Sequence, residues 1–380
     1  MNSTGKKTVK YNSKLTKQMF LLVQAGIKGT EPKIQDSETI DWDGLMDVSM
    51  NQGLLALVWD GISNLPSTKQ PPRIQKINWS LSANEIWERY YLQVKALNEM
   101  IEKCNNNDMR LLLLKGIGLA SLYPKPCSRP SGDIDIYLFD DYQKGNELFG
   151  DGVNDFFKKH SAFDYKGVHI ENHVTPLDTD TKYERNLSSF LKTRMGDVIL
   201  SSEGYYTFDS ITNIVYLLAH SIKHFSPHKG IPYRNIIDFV LFIQRNQEHL
   251  DVVDCYNTLK EFKMSEAFEL FVRMGELIMD IDLSKYHAGY VKGKDFSQIT
   301  KFLYEDALIV DVNPNQSVRN QFILLFDKYR NIKKIYKYFP QKHPFLLIET
   351  FRHNIAILLK RLLKIPENVY FLKGLKNRKS

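Results

Sequence analysis

Apolar positions change their period twice along the chain, and those changes divide it into three regions. Through the first hundred residues they recur near helical spacing, which predicts helices over 15–25, 41–62 and 80–103. Leu45, Met46, Leu54, Leu55, Leu57 and Val58 carry the second of these. Pro66, Pro71 and Pro72 make 65–72 a connection, and the run Asn105-Asn-Asn-Asp108 supplies turn chemistry after the third helix. From 109 to 208 the pattern shifts to short apolar runs broken by glycine. Strands are predicted over 109–115, 133–139, 168–174 and 198–200, with helices over 118–122 and 142–159 between them. Helical spacing then returns at 211–225, 235–245, 251–261, 265–279 and 295–304, followed by two long segments after Ser317. The sum is an α+β fold, in which a small mixed-sheet core at 106–208 is flanked by an N-terminal helical region, 1–105, and a C-terminal helical domain, 209–380.

Composition places this chain among ordinary globular proteins, with 380 residues, 43% apolar and 25% charged. Cys104, Cys127 and Cys255 are odd in number and lack C-x-x-C spacing, which argues against a disulfide framework or a zinc ribbon and suits a reducing cytoplasm. The polar start at Met1 precedes no apolar run of the signal-peptide kind, so a cytoplasmic protein is expected. The net charge of +7 is concentrated at one end, since Gln321 to Ser380 holds fourteen Lys or Arg against three Asp or Glu. A basic tail of this kind suits a nucleic acid or an anionic membrane surface, which would make the protein peripheral to the membrane. A solvated helix face with a frayed end reads equally well.

The stretch Arg129-Pro-Ser-Gly-Asp-Ile-Asp-Ile136 carries the densest chemistry. On a strand Asp133 and Asp135 share one face, and two like charges so close call for a raised pKa or a divalent cation between them. Upstream, Leu111-Leu-Leu-Leu-Lys-Gly-Ile-Gly118 reads as an apolar strand ending in a glycine turn, where Lys115 either meets phosphate or reaches past the sheet to solvent. Arg129 sits in a loop stiffened by Pro124, Pro126 and Pro130, which can aim its guanidinium at phosphate oxygens; a salt bridge to Asp133 would look the same. Downstream, His169, Glu171 and His173 share a strand face that could meet the aspartates and complete a three-carboxylate site for Mg²⁺ or Mn²⁺. An exposed edge strand is the plainer alternative. His220 and His224 stand four apart on a helix, but Ser221 occupies the place of a metalloprotease's glutamate, so a zinc protease is not expected.

These positions resemble the bacterial nucleotidyltransferases of the DNA polymerase beta superfamily, in particular a branch found in polysaccharide biosynthesis loci. The pattern falls on Leu114-Lys115-Gly116, on Tyr123-Pro-Lys-Pro126, on Arg129 with Gly132-Asp133-Ile134-Asp135, and on Val168-His-Ile-Glu-Asn-His173. It departs from the superfamily in one respect: Lys115-Gly116 stands where a Gly-Ser pair opens the phosphate loop. The resemblance implies a metal set and catalytic centre of Asp133, Asp135 and Glu171 holding Mg²⁺. It implies nucleotide contacts from Lys115, Gly116, Arg129, Gly132 and Lys223. It places His173, His220, His224, Arg234 and Asp238 at the substrate or in support of residues that touch it. The reaction implied is transfer of a nucleoside monophosphate from an NTP to a hydroxyl or phosphate acceptor, with a small glycan precursor such as a sugar phosphate as the acceptor. Two other readings remain open from sequence. One is an RNA- or tRNA-directed nucleotidyltransferase or toxin using the basic tail. The other is a non-catalytic membrane or partner-binding protein using the apolar and basic stretch at 345–365.

Overall fold

The computed structural model describes residues 13–35, 39–150, 160–177, 179, 182–224 and 231–291. The helix expected at 295–304, the segments after Ser317 and the basic tail lie outside the described residues. Four helices open the fold: α1 (Ser13–Lys28), α2 (Trp42–Asn51), α3 (Leu55–Ser63) and α4 (Arg73–Asn105). The single helix expected over 41–62 is thus two. Gly53 adopts φ +67, a left-handed conformation that ends α2 and that glycine reaches without a Cβ clash. Asp41 caps α2 by accepting from Gly44 N at 3.0 Å. Helix α4 starts seven residues before the expected point, because its first turns carry apolar side chains such as Ile74 that face solvent.

The middle region forms a six-stranded mixed sheet. Its strands are β1 (Leu112–Leu113), β2 (Ile134–Tyr137), β3 (His160–Tyr165), β4 (Val168–His173), β5 (Ile199–Leu200) and β6 (Tyr206–Thr207), in the order β3-β4-β2-β1-β6-β5. Strand β2 runs parallel to β4 and antiparallel to β1. Among the described residues this region holds two α-helices, α5 (Tyr142–Phe149) and α6 (Lys182–Thr193), and a 3-10 helix at Gly116–Leu122 where a helix over 118–122 was expected. Strands β3 and β6 and helix α6 were not foreseen. The signal for β3 is present in the chain: Lys166 and Gly167 both take positive φ, 52 and 80, as the centre of a primed hairpin turn requires, and Ser161, Phe163 and Tyr165 alternate inward. Helices α7 (Ser210–His224), α8 (Tyr233–Arg245), α9 (Val252–Glu261) and α10 (Ser265–Met279) complete the described fold.

Two apolar clusters hold these layers together. In one, Ile134, Ile136, Phe163 and Ile170 of the sheet pack on Ala96, Leu97, Met100 and Ile101 of α4. The larger one joins α1 and α3 to α7, α8 and α10, so helices far apart in sequence share a single core. Gln24 of α1 confirms the seam by donating to the Ile278 carbonyl of α10 at 3.0 Å. Within this core α1 crosses α3 backbone to backbone. A Cβ on Gly26 would stand 2.5 Å from the Leu57 oxygen, and one on Gly61 would strike the Leu22 carbonyl. Gly61→Ala should therefore push the helices apart and destabilise the protein by about 1–3 kcal/mol, the usual range for overpacking. Urea unfolding checks this, and an unchanged midpoint would show that the crossing yields without cost.

Candidate active site

The site grows from the register of two adjacent strands. On β2, Ile134 and Ile136 face the apolar cluster, so Asp135 between them faces the other side. In the parallel pairing Asp135 stands opposite Glu171 of β4, and His173 lies two residues further along the same face. Oxygen and nitrogen atoms of Asp135, Glu171 and His173 all lie within 4.8 Å of one another. Asp135 is fully buried, with 0% exposure. Lys115 Nζ donates to its Oδ2 at 2.5 Å, and His173 Nε2 lies 3.1 Å from its Oδ1 and 3.5 Å from Glu171 Oε2. Burial opposes ionisation of Asp135, but the His173 and Lys115 cations outweigh it and hold the carboxyl well below the usual range. Glu171 is lowered as well, chiefly by His173. The His173 imidazole loses charge stability through burial and regains more from the two carboxylates, so its pKa rises.

Asp133 differs from its neighbour. The strand begins at Ile134, so Asp133 sits one residue before it, half-buried, and stands outside the three-residue cluster. Burial and the charges of Asp135 and Glu171 raise its pKa, which shows that it shares their field.

The loop leading to Asp133 is held from both sides by elements distant in sequence. From α4, Arg89 Nη2 donates to Gly132 O at 2.6 Å and Gln93 Nε2 to Ser131 O at 3.3 Å. From α8, Arg234 Nη1 donates to Pro130 O at 3.0 Å. Ser131 Oγ closes the turn onto Asp133 O at 2.9 Å. Gly116 packs beneath it at φ +66, where a Cβ would come within 2.9 Å of Ser131 Oγ, so both conformation and space require glycine. Gly132 itself has open space around its Cα.

Arg129, expected at phosphate or Asp133, is committed elsewhere. Its Nε and Nη2 grip Asp238 of α8 at 2.9 and 2.7 Å, and Tyr123 adds a third bond to Asp238 at 2.7 Å. Asp238 thus takes this arginine as its charged partner. Both members of the pair are about 95% buried. Burial works against the Arg129 charge and Asp238 more than restores it.

Lys115, Gly116, Arg129, Gly132, Asp133, His220, Arg234 and Asp238 line one cleft between the sheet and helices α7 and α8. Lys223 is absent from that lining, and the His224 side chain lies outside the described residues. Arg89 and Gln93 gave no signal along the chain, and Tyr123 stood only in a motif, since each acts through a contact more than thirty residues away.

Removing one partner of the buried pair strands the other charge. Asp238→Ala should cost about 3–5 kcal/mol, whereas the double change Arg129→Met with Asp238→Leu should recover most of that loss. Chemical denaturation of the single and double variants measures both. A double variant no more stable than Asp238→Ala would show that the pair's geometry, and not its burial, dominates.

No curated protein and no solved structure matches the chain. A family model described as "Uncharacterised nucleotidyltransferase" matches residues 38–280, a span that holds every residue of the cleft and of the strand pair behind it. With more than half of its length matched, the chain belongs to this nucleotidyltransferase family and is an enzyme that transfers phosphorus-containing groups.

Proposed function

We propose that the protein is a metal-dependent nucleotidyltransferase that moves a nucleoside monophosphate from an NTP to a hydroxyl or phosphate acceptor. The observation that carries this is the in-register pairing of buried Asp135 with Glu171, with Asp133 at the strand entrance. Oxygen donors of this kind fit Mg²⁺ or Mn²⁺, and the His173 nitrogen lies within the same cluster. The fit is also one of charge, because Asp135 now has the Lys115 ammonium on one oxygen and the His173 ring nitrogen on the other, places a divalent ion would take over. Asp133, Asp135 and Glu171 would hold the ion, which when bound acidifies the acceptor and stabilises charge on the reacting phosphate.

The chain's own groups supply the rest. Gly116 lets the backbone approach closely, and Lys115, already at the site, neutralises phosphate oxygens as the NTP enters. The clamped loop keeps Asp133 in place, which is the positioning that a transfer with little covalent chemistry depends on. An acceptor oxygen forms a bond to the α-phosphorus while the bond to the bridging oxygen breaks. Pyrophosphate leaves with that electron pair, and the acceptor proton passes to water. A small glycan precursor is the acceptor suggested by the resemblance to the polysaccharide-locus branch.

Asp135→Asn and Asp133→Asn should each lower turnover by more than the roughly 10–100-fold that loss of a ligand's supporting partner produces. The fold should persist, because neither side chain belongs to an apolar cluster. Pyrophosphate release from each NTP with Mg²⁺ or Mn²⁺, beside circular dichroism, checks the pair. Near wild-type turnover in either variant would remove the metal assignment.

A further inference from the structure

The cations lining the cleft are not equally engaged. Lys115 is paired with Asp135 and Arg129 with Asp238. Among the described residues Arg234 has one hydrogen bond, to the Pro130 carbonyl, and its buried Nε has no partner. The carboxylates that act on it among the described residues are Asp238 and Asp133, with Tyr123 beside them. Asp238 is already gripped by Arg129 and Tyr123, and Asp133 forms no ion pair with it. The neighbouring Arg129 charge repels it. A desolvated guanidinium beside another guanidinium, with a donor unfilled, is costly to keep unless an anion completes it.

The surroundings hold this side chain in place. A Cβ at Gly53 would lie 3.3 Å from Arg234 Cδ and 3.3 Å from its Nη1, so the turn between α2 and α3 backs directly onto the guanidinium. Arg234 also stands in the first turn of α8, whose N-cap Pro232 offers no side-chain acceptor, so the positive end of the helix adds to its field. The Pro130 carbonyl it binds is three residues from Asp133, a chain distance of at most roughly 11 Å. An anion at Arg234 is therefore within reach of a phosphate chain whose first phosphate meets the carboxylates.

We infer that Arg234 is the receptor for the β- and γ-phosphates of the NTP, and so for the departing pyrophosphate, held by its forked guanidinium at the N-terminus of α8. This rests on the nucleotidyl-transfer reading and extends it to the leaving group. Arginine suits the task because its planar donors match two phosphate oxygens at once.

Titration calorimetry of the full chain with inorganic pyrophosphate in EDTA tests the anion site without metal, and Mn²⁺ binding followed separately by electron paramagnetic resonance tests the carboxylates. Arg234→Gln, which keeps a donor for Pro130, should weaken pyrophosphate tenfold or more, with Arg234→Lys falling between. Its ligand-free melting temperature should stay level or rise, since the repulsion from Arg129 is gone, whereas a structural arginine would lower it. Mn²⁺ affinity should be unchanged in Arg234→Gln. Wild-type protein that binds no pyrophosphate, or an Arg234→Gln variant that binds it as wild type does, overturns the assignment. Should the glutamine variant unfold, Arg234→Lys decides, and pyrophosphate affinity equal to wild type counts against the fork. If pyrophosphate binds through Arg234 but Asp135→Asn leaves Mn²⁺ affinity intact, the metal reading fails and the anion site stands.

Discussion

A guanidinium and a carboxylate, Arg129 and Asp238, meet almost out of contact with water and join the loop before β2 to helix α8 by two hydrogen bonds. Such a pair contributes little net stability, because desolvating both charges offsets most of their attraction. What it provides is position. Arg129 begins the segment that ends at Asp133, and Asp238 lies one helical turn beyond Arg234, so this contact fixes the distance between the carboxylates and the far wall of the cleft. The remaining loop carbonyls repeat the theme, with Pro130, Ser131 and Gly132 each accepting from a side chain of α4 or α8. A loop with three successive carbonyls occupied by charged or amide donors has few alternative conformations.

The cleft depends on both ends of the described chain. Helix α4 supports the apolar face of the sheet and, by Arg89 and Gln93, the loop. Helices α7 and α8 close the opposite side, and they stand on the same core as α1 and α3. Gly53 extends this to the α2–α3 turn, which abuts the Arg234 guanidinium. The N-terminal helices therefore stand behind the wall of the site and share its packed core.

Much of the architecture was legible in the chain because it rests on short-range rules. Helix α10 at Ser265–Met279 and strand β4 at Val168–His173 follow directly from the period of their apolar residues. The Asp133 and Asp135 spacing, the Lys115-Gly116 turn and the shared face of Glu171 and His173 are also local, and they sufficed to point to phosphate chemistry and a cation. Where local signals were weak the reading fell short. The polar-rich β3 hides its alternation, the two-residue β6 has no period at all, and Gly53 inside an apolar run split a helix that periodicity alone would continue.

Partnership was the part that only the tertiary structure decided. Sequence spacing cannot tell that Asp135 stands opposite Glu171, since strand register depends on the turns and faces of the whole sheet. Nor can it show that Arg129 is bound to a carboxylate 109 residues away while Arg234 keeps a buried donor unfilled. An arginine's stem and fork read the same in every context along the chain; desolvation, the neighbouring charges and the acceptors within reach make one a strut and leave the other with a donor to fill, and those exist only once the helices have packed.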